Sequence, residues 1–317
     1  TLPIDGQNDL VLANRFLRDV YRTAEGIVSY PFSTFRRAEL GLAAASIQRD
    51  WVFRGNNLTR GEPVDERISV TGAKFLQPSA ALVFDNTYFG WTGPIIGRRY
   101  RIQLSSTIGD FRFNEALVDF RNYLNFKQKA ILATQFLALT RLGSDADNFS
   151  NYWGGPYFLR GYDGGSYSEA ECSGDLGGGS SSVVYCPERN QLIGSSAAMM
   201  RTELRVPVIK ELQIGFLGNF PPVDAVAFFD AGLAWDNELC ISGEPNGLGD
   251  CVASEDVKLV WQREPGQDPM LYRQPLFSYG VGLRINVFYT VLRLDYAFPL
   301  NRPDRKGKFS LSFGPSF

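Results

Sequence analysis

The sequence predicts an all-β protein, an antiparallel transmembrane β-barrel, and three observations support this fold class. Several stretches alternate between apolar and polar residues, which is the period of a β-strand. In the last ten residues, KFSLSFGPSF, one face carries Phe309, Leu311, Phe313 and Phe317. The chain has 24 phenylalanines and 14 tyrosines in 317 residues, and aromatic residues favour strands. Strand candidates run to about ten residues or more, the length that crosses a bilayer at a tilt.

The two faces of these strands differ in a way that favours a membrane barrel. In LFSYGVGLRINV, Val281 and Leu283 share a bulky apolar face, whereas Arg284 lies on the other face among glycines. Trp91 and Trp235 fall near strand ends, where an aromatic girdle would lie. Only a closed barrel lets strands cross lipid with every backbone group paired. We therefore expect the apolar faces to contact lipid; a soluble β-sandwich or barrel, whose polar face meets water, is the alternative.

Eleven strand candidates follow from the alternation, at residues 22–30, 37–52, 69–88, 98–109, 115–126, 130–142, 196–207, 223–236, 275–287, 289–299 and 307–317. We expect residues 22–317 to form the barrel, with 143–195 as a long loop that folds into the lumen and 237–274 as a long extracellular loop. Bacterial barrels normally have an even number of strands. Either a twelfth strand near the start escapes the pattern, or this chain is the later part of a larger barrel, such as one of sixteen strands.

The opening segment, residues 1–21, has a different pattern. Leu10, Ala13 and Leu17 fall at helical spacing, and Asn8 could cap the helix. We expect a helix here, with an irregular strand as the alternative.

Composition excludes several function classes. The chain contains no histidine, which removes Ser-His-Asp and Cys-His catalysis and histidine metal ligation. We therefore expect no enzyme, no metal site and no cofactor. The formal net charge is −2, so no basic field indicates a nucleic-acid partner. No window reaches the length of uninterrupted apolar residues that a membrane-spanning helix needs.

The four cysteines form two local pairs, Cys172 with Cys186 and Cys240 with Cys251. Neither pair has the C-x-x-C spacing of a zinc or redox site. We expect two loop-closing disulfides, which implies an oxidising compartment outside the cytosol; free thiols in mobile loops are the alternative.

Four stretches resemble the BamA/TamA superfamily of outer-membrane assembly and translocation barrels, also known as the surface antigen family. LVFDNTYFGWTGPIIGRRYRIQLS is similar to that family's strand–periplasmic turn–strand, and NYWGGPYFLRGYD to its inward-folding loop with an arginine-glycine-aromatic tip. RTELRVPV and AVAFFDAGLAWD resemble the next two strands. The C-terminal aromatic pattern, with Phe313 and Phe317, resembles the signal by which such barrels are themselves inserted.

The resemblance implies a lock between the loop and the lumen wall. Arg160, Gly161 and Tyr162 match the loop tip, and Glu203 and Asp230 match the acidic residues with which the tip arginine pairs. Strand parity, read independently, places both carboxylates opposite the bulky apolar residues of their strands, so we expect both to point inward.

The resemblance also implies a function and a location. We expect a bacterial outer-membrane barrel that inserts or translocates proteins, with a lumen closed by its own loop. A structural or anchoring barrel within a larger outer-membrane complex is the alternative, and a passive channel is a further one. Implied partners are outer-membrane lipid and lipopolysaccharide, client outer-membrane proteins, and periplasmic POTRA-type or lipoprotein partners.

Overall fold

The computed structural model describes residues 11–59, 61–70, 72–127, 129–168, 171–172, 186–209, 212–214, 218–236, 258–264, 272–287 and 290–314. Eleven long strands build one antiparallel wall: β1 (Val11–Pro31), β2 (Arg36–Asn57), β3 (Ala73–Asp85), β4 (Pro94–Gly109), β5 (Phe113–Phe126), β6 (Ala130–Leu142), β7 (Ser196–Ile209), β8 (Val223–Trp235), β9 (Leu276–Val287), β10 (Thr290–Pro299) and β11 (Lys308–Phe313).

Each long strand pairs with the next one along the chain, from β1 to β11. Two further strands join the same sheet off this path and bring it to 13 strands: Glu62–Ser69 pairs with β2, and Tyr88–Phe89 pairs with β4. Within the described ranges, no pairing connects β1 to β11. Each of the eleven strand candidates overlaps one of these strands, so the predicted all-β antiparallel architecture is confirmed.

The helix expected in residues 1–21 does not form in the part that the structure describes. Residues 11–21 belong to β1, which pairs with β2 over its whole length, from Val11 opposite Asn57 to Pro31 opposite Arg37. A continuous ladder of backbone hydrogen bonds outweighs the weak local preference for a helix. The irregular strand, the alternative at this position, is what residues 11–21 adopt; residues 1–10 lie outside the described ranges.

The wall is apolar on its exposed face and charged on its buried face. On β9, the Val281 side chain is 57% exposed while Arg284 is fully buried. On β7, Leu204 is exposed while its neighbours Glu203 and Arg205 are buried. We call the face that carries these buried charges the inner face. This arrangement of apolar and charged faces is the reverse of that in a soluble sandwich, in which the polar face meets water.

The described parts of the connection between β6 and β7, residues 143–168, 171–172 and 186–195, lie against the inner face. Leu159 and Tyr162 of this connection pack with Leu192 and with Leu276 of β9, and all four are buried. Trp153 packs with Leu139, Ala197, Met199 and Ala234 of the wall. The apolar core therefore lies between the connection and strands β6 to β9.

The remaining described elements are short. Asn151–Tyr152 pairs with Ile193–Gly194, Leu212–Ile214 with Gly218–Phe220, and Lys258–Leu259 with Tyr272–Arg273. One α-helical turn spans Pro187–Asn190, and 3-10 turns span Ala146–Phe149 and Gly164–Ser166. Within the described part of the chain, no helix is both long enough and apolar enough to cross a bilayer.

Candidate functional site

The tip of the 143–195 connection is a compact turn that backbone hydrogen bonds define. The Gly155 amide donates to the Leu159 carbonyl at 2.9 Å, and the Phe158 amide donates to the Gly155 carbonyl at 3.2 Å. The Trp153 indole donates to the Gly194 carbonyl at 2.9 Å and its ring meets Phe158 edge-on. This turn directs the next residue, Arg160, toward the inner face.

Arg160 is fully buried between two carboxylates of the wall. Its Nε and Nη2 atoms donate to the two carboxylate oxygens of Asp230 on β8, each at 2.6 Å. Its Nη1 atom donates to Glu203 Oε1 on β7, also at 2.6 Å. The guanidinium carbon lies 3.6 Å from the centre of the Phe228 ring. Charge-assisted and bidentate hydrogen bonds of this kind are the strong ones in proteins, so the structure brings Arg160, Glu203 and Asp230 together in one site.

The charge network extends beyond the three residues that the sequence indicates. Glu203 also accepts hydrogen bonds from Arg205 and Arg284, both at 2.9 Å. Arg284 in turn donates to Asp295 on β10 at 2.8 Å, and Asp295 lies 3.7 Å from Arg160. The alternation of β9 and β10 places Arg284 and Asp295 on the polar face, but periodicity alone does not show that they reach Arg160. Four wall strands thus contribute to holding one loop residue.

Gly161 and Tyr162 fit the loop against the last strands. Gly161 has a φ of +83°, and a Cβ atom there would lie 3.2 Å from the Ala297 Cβ on β10. Glycine adopts this backbone conformation without strain. Tyr162 is buried, and its hydroxyl donates to the Phe277 carbonyl at 3.0 Å. Gly161 therefore allows the backbone conformation that the tip needs, and Tyr162 supplies a side-chain hydrogen bond to β9.

A second buried arginine, Arg302 in the connection between β10 and β11, holds the same loop from the other side. It donates to both oxygens of Glu171 at 2.8 Å and to the Gly161 carbonyl at 2.9 Å. Its guanidinium carbon also lies 3.9 Å from the centre of the Tyr167 ring. Sequence reasoning missed this clamp because both partners lie outside strands, where alternation carries no signal.

Arg302 changes the acidity of Glu171. Burial would raise the pKa of this carboxyl, but the Arg302 side chain and the hydrogen bonds from Ser168 outweigh burial and lower the pKa to about 2. The Ser168 amide and hydroxyl both donate to Glu171 Oε2, at 2.9 and 3.0 Å. Glu171 is therefore a charged partner of Arg302 over the physiological pH range.

The other predicted site residues have mixed outcomes. The disulfide between Cys172 and Cys186 is present, as predicted. Cys240, Cys251 and Phe317 lie outside the described residues. Phe313 ends β11 with an exposed side chain on the apolar face.

Comparison with known proteins identifies the family. A family model described as the Omp85 superfamily domain matches residues 56–317, most of the chain. The chain belongs to the Omp85 superfamily. This membership confirms the resemblance to BamA/TamA barrels. A comparison with curated proteins found no match.

Two solved structures match most of this chain. The crystal structure of BamA from Haemophilus ducreyi lacking POTRA domains 1-3 superposes with a TM-score of 0.60 and 17% sequence identity, over 94% of this chain and 54% of that one. CdiB from Acinetobacter baumannii has a TM-score of 0.41 and 13% identity, over 94% of this chain and 47% of that one. The chain thus spans about half the length of each, and at this identity the BamA likeness shows the fold.

Proposed function

We propose that this Omp85 domain acts in the bacterial outer membrane to insert or translocate proteins, with a lumen that its own 143–195 loop closes at rest. The observation that carries the proposal is Arg160, which is fully buried and bonded to Glu203 and Asp230 on two wall strands. Burying a charged arginine costs free energy unless the carboxylates that pair with it remain in place. The loop tip around Arg160 would thus act as a plug that a client or partner has to displace or pass.

The edge of the wall at β11 supports strand addition as the mode of action. Among the described residues, which end at 314, the β10–β11 ladder has six residue pairs, whereas the β1–β2 ladder has 21. An exposed edge strand offers unpaired backbone groups to an incoming strand. A short terminal ladder costs little to separate, so this edge is where a client strand would enter.

The proposed surroundings follow from the exposed apolar face and from the family. The wall exposes large apolar side chains such as Leu104, Val281 and Phe309, which suit contact with lipid and lipopolysaccharide acyl chains. Client outer-membrane proteins and periplasmic POTRA-type or lipoprotein partners would complete the machinery. We expect the protein itself to carry out no covalent chemistry.

Reconstitution tests the proposal. The full-length protein is placed in lipid vesicles, an unfolded outer-membrane barrel is added, and its folded fraction is followed over time as SDS-resistant species. We expect folding faster than in empty vesicles. A rate equal to that of empty vesicles would contradict insertion and would favour the anchoring role instead.

A further inference from the structure

The connection between β3 and β4, residues 86–93, does not stay beside its own two strands. Because neighbouring strands are antiparallel, this connection lies at the opposite end of the wall from the 143–195 loop. The ends of β7 and β9 and the start of β8 lie at that same end. The contacts of the connection show that it reaches them across the inner face.

Three contacts join this segment to three distant strands. The Thr92 hydroxyl donates to the Asp224 carboxylate on β8, and the Asn286 side-chain amide on β9 donates to the Trp91 carbonyl. Arg205 on β7 donates to the carbonyl of Pro94, the first residue of β4, at 3.3 Å.

Sheet spacing shows that these contacts span the inner face. Five steps of the wall separate β4 from β9, a path of about 24 Å at the usual spacing of neighbouring strands. Contacts over that separation require the segment to cross the inner face instead of following the wall.

Burial shows that the crossing is packed at residues 92–94, whereas most of residues 86–91 are exposed. Thr92 and Asp224 are 5% and 6% exposed, and Gly93 and Pro94 are buried as well. Buried polar groups keep their hydrogen bonds because an unpaired one is costly. The segment is therefore a built contact between opposite parts of the wall.

Arg205 connects this segment to the Arg160 site. Its Nε atom donates to Glu203 Oε2 at 2.9 Å, and Glu203 Oε1 accepts from Arg160 at 2.6 Å. One guanidinium thus touches the segment and the carboxylate that holds the 143–195 loop. Contiguous hydrogen bonds run from Arg160 through Glu203 and Arg205 to Pro94.

We propose that residues 86–94 form a second closure of the lumen, at the end opposite to the 143–195 loop, and that Arg205 links the two closures. This inference goes beyond the proposed insertion activity and rests on the proposed function's statement that the 143–195 loop closes the lumen. Release of Arg160 alone then leaves the path blocked by residues 86–94, and release of these residues alone leaves it blocked by the loop. A passage through the barrel requires both to move.

Ion conductance of the full-length protein in planar bilayers tests the two closures. The variants are Arg160→Ala, the pair Thr92→Val and Asn286→Ala, and the combination of all three. We expect an open probability close to wild type in the first two and at least about tenfold higher in the combination, because a hydrogen bond to a charged group is worth about that factor in an equilibrium. Arg160→Ala alone as open as the combination would overturn the proposal, and so would a combination as closed as Arg160→Ala.

A chemical cross-link tests the crossing without depending on conductance or on client folding. Thr92→Cys with Asp224→Cys is treated in membranes with a thiol-bridging reagent a few ångströms long, and the bridged peptides are detected by mass spectrometry. The positive control is Ser79→Cys with Ser105→Cys, which are directly opposite on β3 and β4. We expect bridging in both pairs. Bridging in the control pair alone would show that residues 86–94 do not cross the inner face.

Discussion

Arg160 and Asp230 form a two-pronged ion pair in which Nε and Nη2 of the guanidinium each lie 2.6 Å from one carboxylate oxygen. The two residues are 70 positions apart, one at a loop tip and one in the middle of a wall strand. Both side chains are fully buried. The pair therefore fixes the position of the loop relative to the wall through its geometry as well as its charge.

Arg160→Lys should not preserve the site. A lysine ammonium cannot reproduce the planar fork that serves Asp230 and Glu203 together, so at least one buried carboxylate loses a partner. Removing one partner of a buried pair costs about 3–5 kcal/mol. We expect Arg160→Ala to lower the free energy of unfolding by that amount, and Arg160→Lys to lower it by most of that amount. Denaturant titration of the folded protein in detergent measures both.

The matched control is Arg49→Lys. Arg49 makes the same two-pronged contact with Asp19, at 2.8 Å for each bond, but its side chain is 48% exposed. Exposed pairs contribute about 0–1 kcal/mol, so this variant should remain near wild type. Equal losses at positions 160 and 49 would show that burial does not determine the strength of the Arg160 site.

Gly161→Ala should destabilise the loop tip. The residue has a φ of +83°, and a Cβ atom would lie 3.2 Å from Ala297; a non-glycine residue in this region costs about 1–3 kcal/mol. We expect faster proteolysis within residues 143–195 by an added protease. Gly165→Ala is the control, because a Cβ atom there meets nothing within 4 Å. A Gly165→Ala loop cleaved as fast as the Gly161→Ala loop would argue against a role for the backbone conformation.

Acid should weaken the Arg302 clamp through Glu171. The pKa of Glu171 is about 2 in the folded chain against a usual value of 4.5, so the unfolded chain binds more protons between these values. The stabilisation is present in full above about pH 4.5 and is lost as the pH falls toward 2. Glu171→Gln should remove this dependence, which denaturant titrations at several pH values would measure.

The quantity to compare is the difference in free energy of unfolding between wild type and Glu171→Gln at each pH, because other loop acids titrate in the opposite sense. Burial raises the pKa of both Asp163 and Glu188. The Asp163 contribution is common to both proteins and cancels in the difference, whereas the Glu188 contribution is smaller in Glu171→Gln because the charge of Glu171 adds to the raised pKa of Glu188. A difference that stays constant from pH 6 to pH 3 would mean that Glu171 is not held as a charged group.

Alternation of side chains was sufficient to predict the wall and the direction of its acidic residues. Each candidate strand overlaps a long strand, and parity alone placed Glu203 and Asp230 on the face where they meet Arg160. Period-two patterning carries this information because a strand has only two faces.

Contacts between distant loops could not be predicted in the same way. Arg302 with Glu171, and Thr92 with Asp224, depend on the path of connections that have no period. The segment 11–21 was misjudged for a related reason, since its strand depends on a partner 26 to 46 residues away in β2 rather than on its own spacing.

A charge on the exposed apolar face should oppose membrane insertion. Val281 lies near the middle of β9 with its side chain 57% exposed, and a lysine at the bilayer midplane costs about 2–4 kcal/mol. We expect Val281→Lys to make the free energy of folding into lipid vesicles less favourable by about 2–4 kcal/mol, while the control Val281→Leu changes little. Folding of Val281→Lys as favourable as wild type would place this face away from lipid.

Tyr157→Phe should loosen the last strand, because the loop tip covers its edge. The Tyr157 hydroxyl donates to the Phe313 carbonyl at 2.9 Å. The Gly314 amide donates to the Val291 carbonyl on β10, and bonding directions alternate along an antiparallel ladder, so the Phe313 carbonyl points away from β10, toward the edge. Loss of one hydroxyl therefore leaves this edge acceptor uncapped and removes a contact that holds the end of β11 in place.

Hydrogen–deuterium exchange measures this loosening directly. We expect faster deuterium uptake in a peptide that covers residues 308–314 of Tyr157→Phe, with the rest of the wall unchanged, since fraying begins at the end of the ladder. Tyr279→Phe, which removes a hydroxyl from the exposed face of β9, is the control and should leave this peptide at the wild-type rate. Uptake that is the same in Tyr157→Phe and wild type would mean that the β10–β11 ladder alone holds the edge strand, and that the loop tip exerts no control over where a new strand could add.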